Sequence, residues 1–507
     1  MKKNLFFIAA LLVAMTGCNK EPQQGGPATQ EGQLYMQFSV NMLTTRTATD
    51  GEQEYPSDAT PDFEVGKDRE NTISKVDIVL TNADGAYVVA NDVTPSAAAK
   101  DTYVASFNTL ELTAGATYDV YVYANCEAPT PKDIDQVSTE SVANITKDNN
   151  FWMTNAYAPV ATTLPTDLSL YTQPQNPLNL GSHYVERAMA RFDYMPKGPY
   201  TLGDGVQVTL TEAALINQSK AFYMFRRVSA DGTNAGWVQG GLESKINYVV
   251  DTDYAAKAGG YAEGLVANFD YHMTAPAGWD WRSIAADDLT EADSWEGTGD
   301  GVSGTTGDHD LNEYYIWQYA KENTIPGAEV QDHGISTGVV FKGEITGAAV
   351  TAAGGETIYV FENVLYGKWA DVVTASEATD APATLVAAVN KIAAKEAPVA
   401  ADYAAAGFTG YKAEDGKYYA YYYYWNRHND NGDNTSMGPM EFAVVRNNVY
   451  KLCVDKIAKF GHPNPDDVDP IDPDPENPDD PDESINYYFT VTVKVLPWVV
   501  RVNHIEF

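Results

Sequence analysis

The strongest constraint in this sequence is a strict two-residue alternation near each end of the chain. Leu34, Met36, Phe38, Val40 and Met42 alternate with Tyr35, Gln37, Ser39 and Asn41. Towards the other end, Phe489, Val491, Val493 and Val495 alternate with Thr490, Thr492 and Lys494; after Pro497 the pattern resumes with Trp498, Val500 and Val502. Successive side chains of a strand point to opposite faces, so each run is a strand with one apolar face to bury. Terminal segments of this kind belong in the core of a layered β structure.

The stretch between them carries the same style. Lys75–Leu80, Tyr103–Phe107 and Thr117–Tyr123 read as strands separated by turn signals such as Ala83-Asp84-Gly85, the spacing of a β-sandwich. Val137–Asp148 reads as a short helix and Val185–Tyr194 as a strand, with a domain boundary near residue 195. Gly297–Asp310 is a surface loop by composition. Thr384–Lys395 predicts a helix: Leu385, Val389 and Ile392 share a face, Pro382 lies near the start and Pro398 stops it. Tyr418–Trp425 predicts a strand with both faces covered, and its aromatic residues suit a packed inter-sheet face better than a carbohydrate platform. Glu441–Val445 and Asn448–Ile457 read as two strands joined by a turn at Arg446-Asn447. The fold class expected is all-β with minor helices, in two β-sandwich domains.

The 507 residues include 70 Asp+Glu against 33 Lys+Arg, a formal net charge of −37. Such a surface repels phosphate, which argues against nucleic acid and against docking on an anionic membrane. Ten of the acidic residues lie in residues 463–484, where aspartate and proline recur without an apolar pattern. Proline fixes φ and the carboxylates repel one another. The result is a stiff, extended linker of about 60 Å at ~3.1 Å per residue.

Lys2 and Lys3, the apolar run Leu5–Met15 and the small residues before Cys18 make residues 1–17 a signal peptide. Cys18 directly after Gly17 resembles the lipidation site of a bacterial lipoprotein, so the precursor is expected at the outer membrane through palmitate-type acyl chains. The other cysteines, Cys126 and Cys453, are too few for a disulfide scaffold and are expected to be buried thiols.

No phosphate loop, His-Glu-x-x-His or Gly-x-Ser-x-Gly elbow occurs in the sequence. Gly299–Gly304 matches a dinucleotide pattern in letters only, with neither strand before it nor helix after it. Asp430–Glu441 has the length of a calcium loop but carries Gly432 where an oxygen ligand belongs. His428 reads as a hydrogen-bonded turn residue, and carboxylate pairs for sugar hydrolysis could be selected by geometry alone. No catalytic residue, metal or cofactor is expected.

Several stretches resemble the type V fimbrillins of Bacteroidales, most nearly the shaft subunit of the minor (short) fimbria. They are Phe151–Asn155, Glu186–Arg191, Tyr421–Asp430, Met437–Leu452 and Val495–Asn503. The resemblance implies two transthyretin-like β-sandwich domains with exchangeable terminal strands, over residues 47–195 and 196–462. Residues 18–46 would be a propeptide removed by an arginine-specific protease between Arg46 and Thr47, with Arg69 as an alternative point of cleavage. The vacated groove of Leu34–Met42 would accept donor strands from residues 485–507 of an identical subunit. This builds, with accessory fimbrial subunits, a cell-surface fimbria that supports adhesion to an unidentified receptor and biofilm formation. A monomeric glycan-binding surface lipoprotein and a fimbrial tip or anchor subunit are the alternatives.

Overall fold

The computed structural model describes residues 34–42, 66–83, 85–99, 102–109, 112–128, 136–159, 161–173, 175–240, 248–253, 269–270, 278–289, 314–324, 336–428, 440–465 and 489–497. The architecture is mostly β, with few and short helices.

The N-terminal sheet contains β1 (Leu34–Met42), β2 (Val76–Asn82), β3 (Gly85–Val93), β4 (Ser96–Ala99), β5 (Thr102–Thr109), β6 (Thr117–Ala124), β7 (Met153–Asn155), β8 (Ala161–Thr163) and β9 (Leu178–Arg187). Their order is β3-β2-β6-β7-β9-β1-β5-β4, with β8 beside β6. The sheet curls so that β3 packs on β5, enclosing one core. That core includes Leu34, Met36, Phe38 and Val40 together with Val76, Ile78, Leu80, Val120 and Val122. β1 is therefore an internal strand, covered on one face and paired along both edges.

A second set of strands follows: β10 (Ala190–Met195), β11 (Tyr200–Gly203), β12 (Val206–Ile216), β13 (Tyr315–Ala320), β14 (Gly338–Thr346), β15 (Tyr418–Trp425), β16 (Asn448–Ile457) and β17 (Phe489–Pro497). One sheet runs β13-β10-β16-β17 and the other β11-β12-β14-β15. Their side chains meet in a common core containing Phe192, Tyr194, Val208, Phe341, Tyr422, Tyr450 and Leu452, as in a sandwich. Between β14 and β15 the chain builds a small module, with helices over Trp369–Ser376, Ala383–Ala393 and Ala400–Ala405. It has its own core of Phe361, Val372, Leu385, Val389, Ile392 and Phe408.

Three readings of the sequence need correction. Val185–Tyr194 is two strands, β9 and β10, in different sheets; side chains up to Met189 pack in the first core and those from Ala190 in the second. The corner at Ala188-Met189 is held from outside, because the Asn447 amide donates to the Met189 carbonyl. Val137–Asp148 contains a two-residue strand, Val137–Ser138, and a single helical turn, Val142–Ile145, capped by Ser141. Glu441–Val445 is a turn region with one bridge, Asn323 to Val444, because Glu441 is committed to a buried ion pair with Arg427. The loop Gly297–Asp310 lies outside the described residues.

Candidate functional site

The seat of the leading strand brings together most of what the sequence singled out. Along one edge β1 runs antiparallel to β5, with Leu34 opposite Thr109, Phe38 opposite Ala105 and Val40 opposite Tyr103. Along the other it runs parallel to β9, with Met36 opposite Leu178 and Val40 opposite His183. The register slips between Gln37 and Ser39, where β9 carries an extra residue beside Gly181 (φ 92°). A bulge of this kind uses glycine because positive φ costs it no Cβ clash.

Four of the five apolar positions of the alternation are withdrawn from water: Leu34 is 3%, Met36 0%, Phe38 1% and Val40 0% exposed. Tyr35, Gln37 and Ser39, on the opposite face, are partly exposed. The Phe38 ring meets His183 edge-on, with centroids 5.5 Å apart and planes at 80°. Burial lowers the His183 pKa against the opposing pull of the Leu180 carbonyl, 3.2 Å from Nε2, so the imidazole is held neutral. Taken out of the sheet, β1 would leave two unpaired backbone edges and an apolar floor between them, a template for another strand.

The first described turn after the leading strand, α1 (Asp68–Asn71), is tied into the junction of the two cores. Glu70 accepts from Arg191 at 2.9 Å and from the Tyr319 hydroxyl at 2.6 Å. Arg191 also contacts Asp193 at 2.8 Å, and Lys451 reaches the same carboxylate at 3.1 Å. Burial alone would push the Asp193 carboxyl up, but the Arg191 and Lys451 charges hold it below its ordinary range. Arg69 lies in this turn: its carbonyl accepts from the Asn149 amide at 2.8 Å, and its guanidinium is 3.8 Å from Asp148.

Among the described residues, the tail strand β17 lies at the edge of its own sheet, antiparallel to β16. Phe489 is opposite Ile457, Val491 opposite Val454, Val493 opposite Leu452 and Val495 opposite Tyr450. The last pair is Asn448 with Pro497. An edge tolerates proline there because the missing amide interrupts no second ladder. Cys18, Arg46, Thr47, Trp498, Val500 and Val502 lie outside the described residues, as does the Gly299–Gly304 match.

The other candidates are structural. His428 is buried and its Nδ1 is 2.9 Å from the Tyr450 hydroxyl. Glu441, the last position of the calcium-loop match, is spent on Arg427. In β15, Tyr418, Ala420, Tyr422 and Tyr424 sit in the sandwich core, and Tyr421 packs with Trp279 and Trp281 on the other face. Cys126 and Cys453 are buried free thiols; burial pushes the Cys453 pKa up to about 12. No group of three or more His, Cys, Asp or Glu side chains suited to a metal occurs among the described residues. His183 and Glu70 were missed by sequence reasoning. The signal for His183 was present, since it continues the buried positions Leu178 and Leu180 once the extra residue at Gly181 is counted.

Comparison with known proteins adds the family. The model of the major fimbrial subunit protein (FimA) matches residues 36–188, and that of the major fimbrial subunit protein type IV, fimbrillin, C-terminal, matches residues 416–504. No curated protein matches the chain by sequence. Among solved structures, a fimbrilin from Porphyromonas gingivalis W83 is 14% identical, with 94% of this chain and 99% of that one covered and a TM-score of 0.37. A putative cell adhesion protein from Parabacteroides distasonis ATCC 8503 is 12% identical, with 93% and 99% covered and a TM-score of 0.38. The fimbrial anchor protein Mfa2 from P. gingivalis is 9% identical, with 42% and 76% covered and a TM-score of 0.19. With one fimbrial-subunit model over the leading strand and its sheet and another over the closing strands, the chain belongs to the fimbrillin family of fimbrial structural subunits.

Proposed function

We propose that this fimbrial subunit polymerises by strand exchange: a protease removes the leading strand, and the tail of another copy takes its place. The observation that carries the reading is the internal position of β1, with four apolar side chains at most 3% exposed and both backbone edges paired. Refilling that seat with apolar side chains at ~1.5–3 kcal/mol each recovers on the order of 10 kcal/mol before ordering costs. The direction of exchange has a physical basis. Among the described residues β17 pairs along one edge, with β16. In the vacated seat it would pair along two.

Cleavage between Arg46 and Thr47 suits this reading better than cleavage at Arg69, whose backbone is engaged in a packed helical turn. Proteases act on extended, accessible chain. The residues after the cut remain anchored through Glu70, so the strand would leave without the rest of the N-terminal domain. Export as a lipoprotein through Cys18, assembly with identical and accessory subunits into surface fimbriae, and the absence of catalytic activity belong to the same proposal. So does a place in the shaft of a minor fimbria.

The test is direct. Treated with an arginine-specific protease, the precursor should form ladders that resist unheated detergent, and an Arg46→Ala precursor should not. Equal ladders from the variant would show that cleavage at this position is not the trigger.

A further inference from the structure

The seat of the leading strand is uneven. Phe38 lies opposite Ala105, the smallest side chain facing this strand from β5 among those described, and beside the bulge of β9, where His183 supplies a ring edge. Val40, two residues on, is flanked by Tyr103 and His183, and Met36 has Leu178 beside it. A small residue on one side and a bulge on the other make one subsite sized for an aromatic ring, next to a subsite that bulky neighbours restrict to valine. Closely packed interiors make such differences in volume costly to ignore.

The tail repeats the pattern that this seat holds. Gln37-Phe38-Ser39-Val40 in the leading strand corresponds to Tyr488-Phe489-Thr490-Val491 in the tail, an aromatic, a β-hydroxyl residue and a valine in the same order. Phe489, Thr490 and Val491 all belong to β17.

We infer that the aromatic subsite between Ala105 and His183 sets the register of the incoming strand: Phe489 of a second copy takes the place of Phe38, and Val491 that of Val40. This rests on the strand-exchange reading and adds the register and direction to it. The incoming strand then runs as β1 does, antiparallel to β5 and parallel to β9. Thr490 takes the place of Ser39, opposite Val104. The rival occupant is Trp498, which would bring Val499 to that position. A one-residue slip is excluded because it turns every apolar side chain to the wrong face.

Directly opposed residues of an antiparallel pair have Cβ atoms about 4.5–5.5 Å apart, close enough for paired cysteines to be oxidised to a disulfide. The experiment mixes two full-length precursors, an acceptor carrying Val104→Cys and a donor carrying either Thr490→Cys or Val499→Cys. An arginine-specific protease starts assembly under a mild oxidant, and the products are run without reductant. Covalent acceptor–donor dimers from Thr490→Cys and not from Val499→Cys are expected. Dimers from Val499→Cys alone, or ladders in which neither pair cross-links, would overturn the register while leaving strand exchange standing. If no ladder forms with wild-type protein, strand exchange itself fails and the register falls with it.

Discussion

Glu70 and His183 show how single side chains carry the two halves of this design. Glu70, Arg191, Asp193 and Lys451 form a buried, alternating chain of charges between the two cores, each within 3.1 Å of the next. Opposite charges in a dry site hold fixed geometry, and removing one partner leaves the other uncompensated. His183 is of another kind, since it is buried as the neutral imidazole against the Phe38 ring of the leading strand. Because burial lowers its pKa, the unfolded chain takes up a proton first as pH falls below about 6.5. Stability is therefore lost on acidification and kept at neutral pH. A His183→Phe variant should lose less thermal stability than wild type between pH 7.5 and pH 5.5, as differential scanning calorimetry of the precursor would measure. An identical pH dependence in the two proteins would show that the site does not couple to protonation. Glu70 could not be assigned from spacing, because its partners Arg191 and Tyr319 come from strands far away in sequence.

Among the elements, those decided by one-sided burial were legible in advance. The alternation of Leu34–Met42 survives as β1 because its apolar face lies on a core and its polar face does not. The helix Ala383–Ala393 was readable because Leu385, Val389 and Ile392 meet one small core. Two of the three misread elements are fixed by polar partners: Glu441–Val445 by Arg427 and Asn323, and the β9–β10 corner by Asn447. Hydrophobic period carries no information on such contacts. The helical module between β14 and β15 has a core separate from the sandwich, so damage to it should remain local. Leu385→Ala should cost that module about 2–5 kcal/mol, as expected for a buried leucine. Hydrogen exchange should show lost protection over residues 383–393, with ladder formation unchanged; lost protection across the N-terminal sheet would contradict this separation.

For the whole molecule, the fold class could be read from the ends of the chain, whereas the partners of those ends could not. Alternation identified two strands in need of a sheet, and the structure seats β1 between β5 and β9 and β17 beside β16. Nothing in a periodicity says which edge a strand will choose. The acidic surface, with a formal charge of −37, works against casual association of subunits; on the proposed reading, the permanent contact would come from the backbone ladder and apolar seat that removal of the leading strand would create. The seat is filled by the chain's own leading strand, and in the proposed mechanism proteolysis is what would empty it.

Light scattering on the purified precursor, before and after cleavage by an arginine-specific protease, tests this most directly. We expect a single particle of monomer mass before cleavage. Afterwards the mass should grow to many subunits, and a chain ending at Glu483 should stay at one. If the cleaved, full-length protein also remains one particle of monomer mass, with β17 still paired to β16, the leading strand is not the gate to assembly.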